Sequence, residues 1–235
     1  MPLRRFACVV TLALLGASGA SSVAASPPVA PPTSQASSVR PVPVVYRVKT
    51  SDPVVFITID DGFTRTARAK AMLEDIVHSD FVLRGPLMQD PSFWQQERSR
   101  GVSFGNHTAR HPNLKHLSQK AQQREICAGR DAVKSVVGVT PVLFRPPGGN
   151  WNKNTLLAAR ECNMSHLVLW NVVVDGSRIS TWGTPIKRGD IILLHYRHDL
   201  DVSLRVLLKE LERLRLRPAD LEDYLAPSRS TASTR

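Results

Sequence analysis

The chain has 235 residues, 42% of them hydrophobic and 22% charged, and its formal net charge is +11 at pH 7. This length suits one sizeable core, either as a single α/β domain or as two small domains. The sequence shows no recognisable nucleic-acid-binding module, so we expect no nucleic-acid partner despite the basic charge.

The N-terminal residues have the pattern of an export signal. Arg4 and Arg5 precede an apolar run over residues 6–15 and a small-residue segment that ends in SSVAAS. The pattern predicts a signal peptide over residues 1–25, with cleavage after Ala20 as the alternative to cleavage after Ala25. The apolar run is too short to cross a bilayer, so we expect no permanent membrane span. The predicted location is secreted, extracellular or associated with the cell wall.

Composition divides the remaining chain into three segments. Residues 26–43 are rich in Pro, Ser and Ala and predict a disordered linker, residues 44–226 have globular composition, and residues 227–235 predict a disordered tail. Without Arg4 and Arg5 the formal charge falls from +11 to +9. For an exported protein, this charge favours an anionic cell-wall polymer as a neighbour, although a basic surface can also serve solubility alone.

Two cysteines, Cys127 and Cys162, follow the signal segment. An exported protein can form disulfides, so the two residues predict either a disulfide or two buried free thiols, and the sequence does not decide between these.

Short β-rich runs alternate with helical patterns along the globular segment, which is typical of a parallel sheet covered by helices. One helical face carries Gln122, Ile126, Val133 and Val137, and Gly138 is a natural helix end. Leucines at helical spacing from Leu204 to Leu214 predict a last amphipathic helix. The predicted strands are residues 54–59, 102–104, 142–144, 167–174 and 191–194.

Charged and polar side chains follow the ends of four of these strands. In a parallel α/β sheet, the carboxyl ends of the strands share one edge, and chemistry collects there. The side chains expected at this edge are Asp60, Asp61, His107, His111, Arg145 and His195.

The adjacent acids Asp60 and Asp61 raise an electrostatic question, since neighbouring like charges repel unless a cation or a shared proton relieves them. The simple alternative is a strand that ends in an Asp-Gly turn. His107 and His111 have a spacing that can place two imidazoles on one metal ion, although Pro112 disfavours an ordinary helix there. Two imidazoles and one carboxylate would hold a catalytic zinc ion and leave the second carboxylate free as a base.

These residues lie in four motifs whose order resembles that of the polysaccharide deacetylase family of the NodB homology type, also called carbohydrate esterase family 4. The resemblance covers about residues 54–225. Its motifs are TIDDG at 58–62, HTARHP at 107–112, RPPGG at 145–149 and LLH at 193–195.

The resemblance implies a fold, a cofactor and a role for each motif residue. The implied fold is a distorted (β/α) barrel with about seven parallel strands. The implied cofactor is a divalent metal ion, zinc first and cobalt or nickel as alternatives, bound by Asp61, His107 and His111. Asp60 is then the general base, His195 the general acid, and Arg145 the residue that orients Asp60.

The sequence departs from the family pattern near the expected sugar site. Gly148 stands where an aromatic residue usually follows the two prolines. Glycine keeps the backbone N–H that can donate to the oxyanion, but the sugar site lacks the aromatic side chain that would line it. The family's Asp-Trp pair is absent as such, and we expect Asp175 to support His195 and Trp182 to line the groove instead. The segment 78–85 is a poor version of the family's second strand.

Three functions follow from this comparison. The first is a secreted metal-dependent hydrolase that removes N-acetyl groups from a GlcNAc-containing polysaccharide such as peptidoglycan or chitin. The second is an O-acetyl esterase that acts on a xylan-type polymer with the same site. The third is a wall-binding protein whose catalytic site has decayed.

Overall fold

The computed structural model describes residues 40–225, and the predicted signal peptide, most of the predicted linker and the predicted tail lie outside this range. Ten strands are present in it: β1 (Val44–Val45), β2 (Val54–Asp61), β3 (Ser79–Val82), β4 (Ser103–Asn106), β5 (Leu143–Phe144), β6 (His166–Val168), β7 (Val172–Asp175), β8 (Arg178–Ser180), β9 (Ile191–His195) and β10 (Arg217–Pro218). The α-helices are α1 (Ala67–Leu73), α2 (Arg84–Gln89), α3 (Pro91–Ser99), α4 (Gln119–Val137), α5 (Lys153–Glu161), α6 (Leu200–Leu214) and α7 (Leu221–Leu225).

The strands form one curled, mostly parallel sheet with the order β1-β6-β5-β4-β3-β2-β9-β7-β8, and β10 pairs with the first residues of β2. β8 is antiparallel to β7 at one edge. Helices cover the outer side of the sheet, so the architecture is the predicted distorted (β/α) barrel in an open, half-barrel form. Ten strands are described where the resemblance implies about seven parallel ones, because the antiparallel β8 and the two-residue strands β1 and β10 come in addition to seven other parallel strands.

The core confirms the reading of the central strands as buried on both faces. Seven of the eight residues of β2 are buried, with Ile57 and Ile59 facing the helices and Phe56 facing the barrel interior. Two residues just before residue 44 also contact the sheet and its core. Val42 is buried in a core cluster, and the Pro43 carbonyl accepts a hydrogen bond from the Leu167 amide.

One predicted strand is wrong in extent, because residues 167–174 form the separate strands β6 and β7. β6 lies between β1 and β5, whereas β7 pairs with β9 and β8 on the far side of the sheet. Asn171 fixes the crossing between them: its side chain donates to Asp190 Oδ1 at 2.6 Å and accepts from the Ile191 amide at 3.0 Å. The segment 78–85, whose sequence is a poor version of the family's second strand, does contain strand β3.

The helix boundaries follow from capping residues. Ser118 accepts from the Ala121 amide at the start of α4, and Gly138 ends this helix with a left-handed φ of 83°. Thus the predicted stop at Gly138 is confirmed. The leucine stripe of the last amphipathic helix packs into the main core cluster as α6. Among the helices of residues 40–225, none has the length and apolar composition that a membrane crossing requires.

Cys127 of α4 and Cys162 at the end of α5 form a disulfide, which resolves the alternative that the sequence left open. The bond links two helices that pack together beside the carboxyl ends of β4 and β5, and it closes a loop with a sequence separation of 35 residues.

We expect replacement of both cysteines with serine to lower the free energy of unfolding by about 4 kcal/mol, because the open chain gains loop entropy when unfolded. Urea denaturation of the double variant and of the oxidised parent measures the difference. The parent treated with a reductant is the matched control and should approach the variant. Equal unfolding midpoints for all three samples would show that the disulfide does not stabilise the domain.

Candidate active site

The predicted polar residues do converge at the carboxyl edge of the sheet. Asp60 and Asp61 end β2, His107 follows β4, Arg145 follows β5, and His195 ends β9. The parallel register places Asp60 directly beside His195, so both side chains lie on the same face of the sheet.

Asp61, His107 and His111 bring one carboxylate and two imidazoles into a single cluster. Asp61 Oδ1 lies 3.7 Å from His107 Nε2 and 3.6 Å from His111 Nε2, and one donor atom from each of the three residues lies within 4.8 Å of the others. His107 is buried, whereas the side chain of His111 is 45% exposed. The cluster is therefore buried at His107 and open to solvent at His111.

The tautomer of His107 suits a metal ligand. Its Nδ1 lies 2.8 Å from the Arg145 carbonyl oxygen, which can only accept, so the Nδ1 carries the hydrogen and Nε2 of the neutral ring is bare. Burial lowers the pKa of His107, against the opposing effect of Asp60 and Asp61. Two ligand atoms that each lie about 2.0–2.2 Å from one metal ion are separated by distances similar to those from Asp61 Oδ1 to the two Nε2 atoms. The donor set and its spacing thus fit a divalent metal ion.

The backbone around the cluster is strained. Asp61, Thr108 and His111 have φ values of 78°, 74° and 62°, a left-handed region that residues with a side chain rarely adopt. Strained residues persist where surrounding contacts hold them, and they concentrate at functional sites.

Asn106 and Gly129 hold the loop that carries the two histidines, and the sequence analysis missed both. Buried Asn106 donates to the Ile126 carbonyl at 2.7 Å and accepts from the Thr108 amide at 2.9 Å. A Cβ atom on Gly129 of α4 would lie 2.7 Å from the Thr108 carbonyl carbon, so only glycine lets the loop approach the helix. The position of Asn106 directly before His107 was the available sequence signal.

Asp60 has a different partner from Asp61. Arg145 donates through Nη1 to Asp60 Oδ1 at 2.8 Å, and both side chains are buried. The second Asp60 oxygen, Oδ2, lies 3.6 Å from His107 Nε2. One oxygen of Asp60 is therefore tied to a cation while the other faces the cluster.

Further hydrogen bonds and an aromatic contact hold the Arg145 guanidinium in place, and this fixes the orientation of Asp60. Its guanidinium also donates to Thr58 Oγ1 at 2.8 Å and to the carbonyls of Val168 and Leu169 at 3.3 and 3.4 Å. It lies over the Phe81 ring, 4.2 Å from the centroid. Burial lowers the pKa of Arg145, and Asp60 opposes this shift.

No hydrogen bond or ion pair among residues 40–225 joins two of the predicted residues, Asp175 and Trp182, to this group. The Asp175 carboxylate pairs with Arg197 at 3.1 Å, and among the described residues it makes no hydrogen bond to His195. Trp182 follows β8, which runs antiparallel to β7 and so returns toward the amino ends of the parallel strands. Their roles in supporting His195 and lining the groove stay predictions, as does the role of Gly148, which has a left-handed φ of 59°.

A second buried polar cluster lies behind the site, on the helix side of the sheet. Tyr196, which follows His195, donates its hydroxyl to both Asp80 oxygens at 3.0 Å. His78 donates through Nδ1 to the Ile76 carbonyl, so its bare Nε2 faces Asp80 Oδ1 at 3.7 Å and Glu97 Oε2 at 4.0 Å. Burial raises the pKa of Asp80 well above its usual value and lowers that of His78 to about 4.

We expect Asp80→Asn to stabilise the protein increasingly as pH rises above 4. The folded Asp80 keeps a proton that the unfolded chain releases above pH 3.8, so the parent loses stability as pH rises toward the raised pKa, by at most about 1.4 kcal/mol per pH unit. Asparagine does not titrate, and its amide can donate to His78 Nε2.

Urea unfolding of both proteins at pH 5 and pH 8 measures the difference between their free energies of unfolding. Both proteins contain His78, so its own pH-dependent contribution cancels in this difference. Asp75→Asn, at an exposed position, is the matched control and should follow the parent at both pH values. A stability difference between Asp80→Asn and the parent that does not grow with pH would contradict the expectation.

The comparisons with known proteins agree with this geometry. The sequence model described as polysaccharide deacetylase matches residues 47–167, more than half of the chain. An uncharacterized protein of Streptomyces coelicolor is 34% identical over 192 residues, covering 78% of this chain and 77% of its own length. A peptidoglycan-N-acetylglucosamine deacetylase of Bacillus cereus is 28% identical over 190 residues, covering 72% of this chain and 87% of its own.

The fold matches a crystal structure of a Bacillus anthracis carbohydrate esterase family 4 pseudoenzyme. The TM-score is 0.65 at 19% identity, over 79% of this chain and 69% of the other. The resemblance read from the four motifs is thus confirmed: the chain belongs to the polysaccharide deacetylase family and is an enzyme of that class.

Proposed function

We propose that this polysaccharide deacetylase is an exported, zinc-dependent enzyme that removes N-acetyl groups from a GlcNAc-containing polymer such as peptidoglycan or chitin. The observation that carries the proposal is the separation of roles between two adjacent acids. Asp61 faces two imidazoles, whereas Asp60 is tied to Arg145 through one oxygen and faces the same cluster with the other.

In this proposal Asp61, His107 and His111 hold the metal ion. When bound there, a divalent ion would lower the pKa of a water molecule and would polarise the acetyl carbonyl. The donor set of one carboxylate and two imidazoles suits zinc, and cobalt and nickel are the alternatives.

The remaining residues move protons and stabilise charge. Asp60 takes a proton at Oδ2 from the attacking water, while Arg145 holds Oδ1 and fixes the carboxylate. As the new C–O bond forms, the former carbonyl oxygen gains negative charge, which a backbone N–H at Gly148 would stabilise. His195 gives a proton to the nitrogen as the C–N bond breaks, because an amide nitrogen leaves poorly as an anion. The products are acetate and a free amine on the sugar.

Export and location belong to the same proposal. The signal pattern in residues 1–25, the linker composition that follows it and the Cys127–Cys162 disulfide are all typical of an exported protein. Several relatives are named peptidoglycan deacetylases, which supports a cell-wall substrate. The basic charge supports an anionic wall polymer as a neighbour.

Acetate release tests the substrate class. Peptidoglycan, chitin oligomers and acetylxylan are each incubated with the protein, with and without a chelator. We expect acetate from the first two polymers and its loss on chelation. Release from acetylxylan alone would support the O-acetyl esterase instead. Polymer binding with no acetate release after zinc or cobalt addition would support a decayed wall-binding protein, and the pseudoenzyme of similar fold makes this control necessary.

A further inference from the structure

A cavity of about 480 Å³ adjoins the candidate metal cluster. Its walls include Phe63, Leu83, Ala109 and Arg110, and it shares Asp61 and His111 with the cluster. The volume lies within the roughly 300–1,000 Å³ of small-molecule sites. A substrate group that reaches the cluster can therefore place its neighbouring atoms in this space.

Phe63 is the unusual residue of the cavity, because its side chain is 60% exposed. Five large hydrophobic side chains of residues 40–225 are exposed, and Phe63 is the one among them that lines this cavity. Aromatic side chains are typical of the walls of ligand sites. The turn before it is fixed: Gly62 has a φ of 103°, and a Cβ atom there would lie 2.9 Å from the Trp94 ring. The ring edge packs near Gly85, where an added Cβ would lie 3.7 Å from it.

The charges around the cavity favour a neutral occupant. Arg110 at the rim already donates through Nε to Glu125 Oε1 at 2.6 Å and through its amide to Glu125 Oε2 at 3.1 Å. Its charge is therefore compensated within the protein. The remaining walls at Phe63, Leu83 and Ala109 are apolar.

We propose that Phe63 is the platform on which a neutral, N-acetylated pyranose ring packs while its acetyl group lies at the metal cluster. This inference rests on the proposed function. A pyranose ring presents C–H groups on its faces and hydroxyl groups at its edge, so one face packs on an aromatic ring while the edge stays hydrated. Phe63 is thus a specificity-determining residue that binds sugar and takes no part in proton transfer.

Kinetics on the N-acetylglucosamine tetramer test the platform. We expect Phe63→Ala to raise KM about tenfold, with a much smaller change in kcat, because apolar contact is lost from substrate and transition state alike. Phe63→Tyr keeps the ring and should restore KM. Tyr46→Ala removes an aromatic side chain that is 50% exposed and outside the cavity walls, and this matched control should keep the parental KM.

A binding measurement separates this inference from the proposed function. Calorimetric titration of the same tetramer into Phe63→Ala and into the parent, both loaded with zinc, should show a loss of affinity of about tenfold. This loss would support the platform even if the parent released no acetate, a result that would refute only the proposed function. Equal KM values and equal affinities for Phe63→Ala and an active parent would overturn the platform.

Discussion

Replacing Asp60 with asparagine is expected to reduce acetate release by about 10²–10⁴-fold, the typical contribution of a positioned general base. The amide nitrogen in place of Oδ2 cannot take a proton from water. The remaining oxygen can still accept from Arg145, which keeps its further acceptors on Thr58, Val168 and Leu169. The site should therefore keep its shape while it loses its base.

Initial rates on chitin oligomers at saturating zinc measure this effect, and far-UV circular dichroism verifies that the variant is folded at the assay temperature. Asp131→Asn, at an exposed carboxylate of α4, is the matched control and should keep the parental rate. A rate for Asp60→Asn within a few-fold of the parental rate would show that Asp60 is not the general base.

The second large effect is expected for His107→Ala, which should abolish acetate release and the stabilisation of the protein by zinc. An ion that binds only the folded state stabilises it by about 2.7 kcal/mol at a concentration one hundred times its Kd. The variant loses the buried Nε2 ligand, so added zinc should no longer raise its melting temperature.

Thermal unfolding of the parent, of His107→Ala and of His116→Ala, each with zinc and with chelator, measures this stabilisation. His116 is an exposed histidine outside the cluster, so its replacement should leave the zinc effect intact. A zinc-dependent rise in melting temperature for His107→Ala equal to that of the parent would place the ion elsewhere.

Much of the site was predictable because its residues follow the ends of recognisable strands. The apolar run before Asp60 predicts a buried parallel strand, and such strands end at a common edge. The positions of Asp60, Asp61, His107, Arg145 and His195 at this edge follow from that rule and from their motifs. His111 was harder to place, because Pro112 disfavours an ordinary helix there, and the folded loop with its left-handed φ brings the imidazole back to Asp61.

Other features depend on contacts between distant segments, which no local pattern shows. The division of residues 167–174 into two strands depends on Asn171 meeting Asp190. The approach of α4 to the histidine loop depends on Gly129 meeting Thr108. Buried Asp80 has no partner within its own strand, and its hydrogen bonds come from Tyr196, which directly follows β9. In each case the decisive partner comes from another element of the fold.

The metal content of Asp60→Asn after dialysis against zinc, determined by elemental analysis, tests the central claim most directly, with His107→Ala measured beside it. If Asp61 and the two imidazoles hold the ion and Asp60 is left free, Asp60→Asn retains one zinc ion per chain and His107→Ala retains none. Equal zinc content in the two variants, whether both keep the ion or both lose it, would contradict this division of roles between the two adjacent acids.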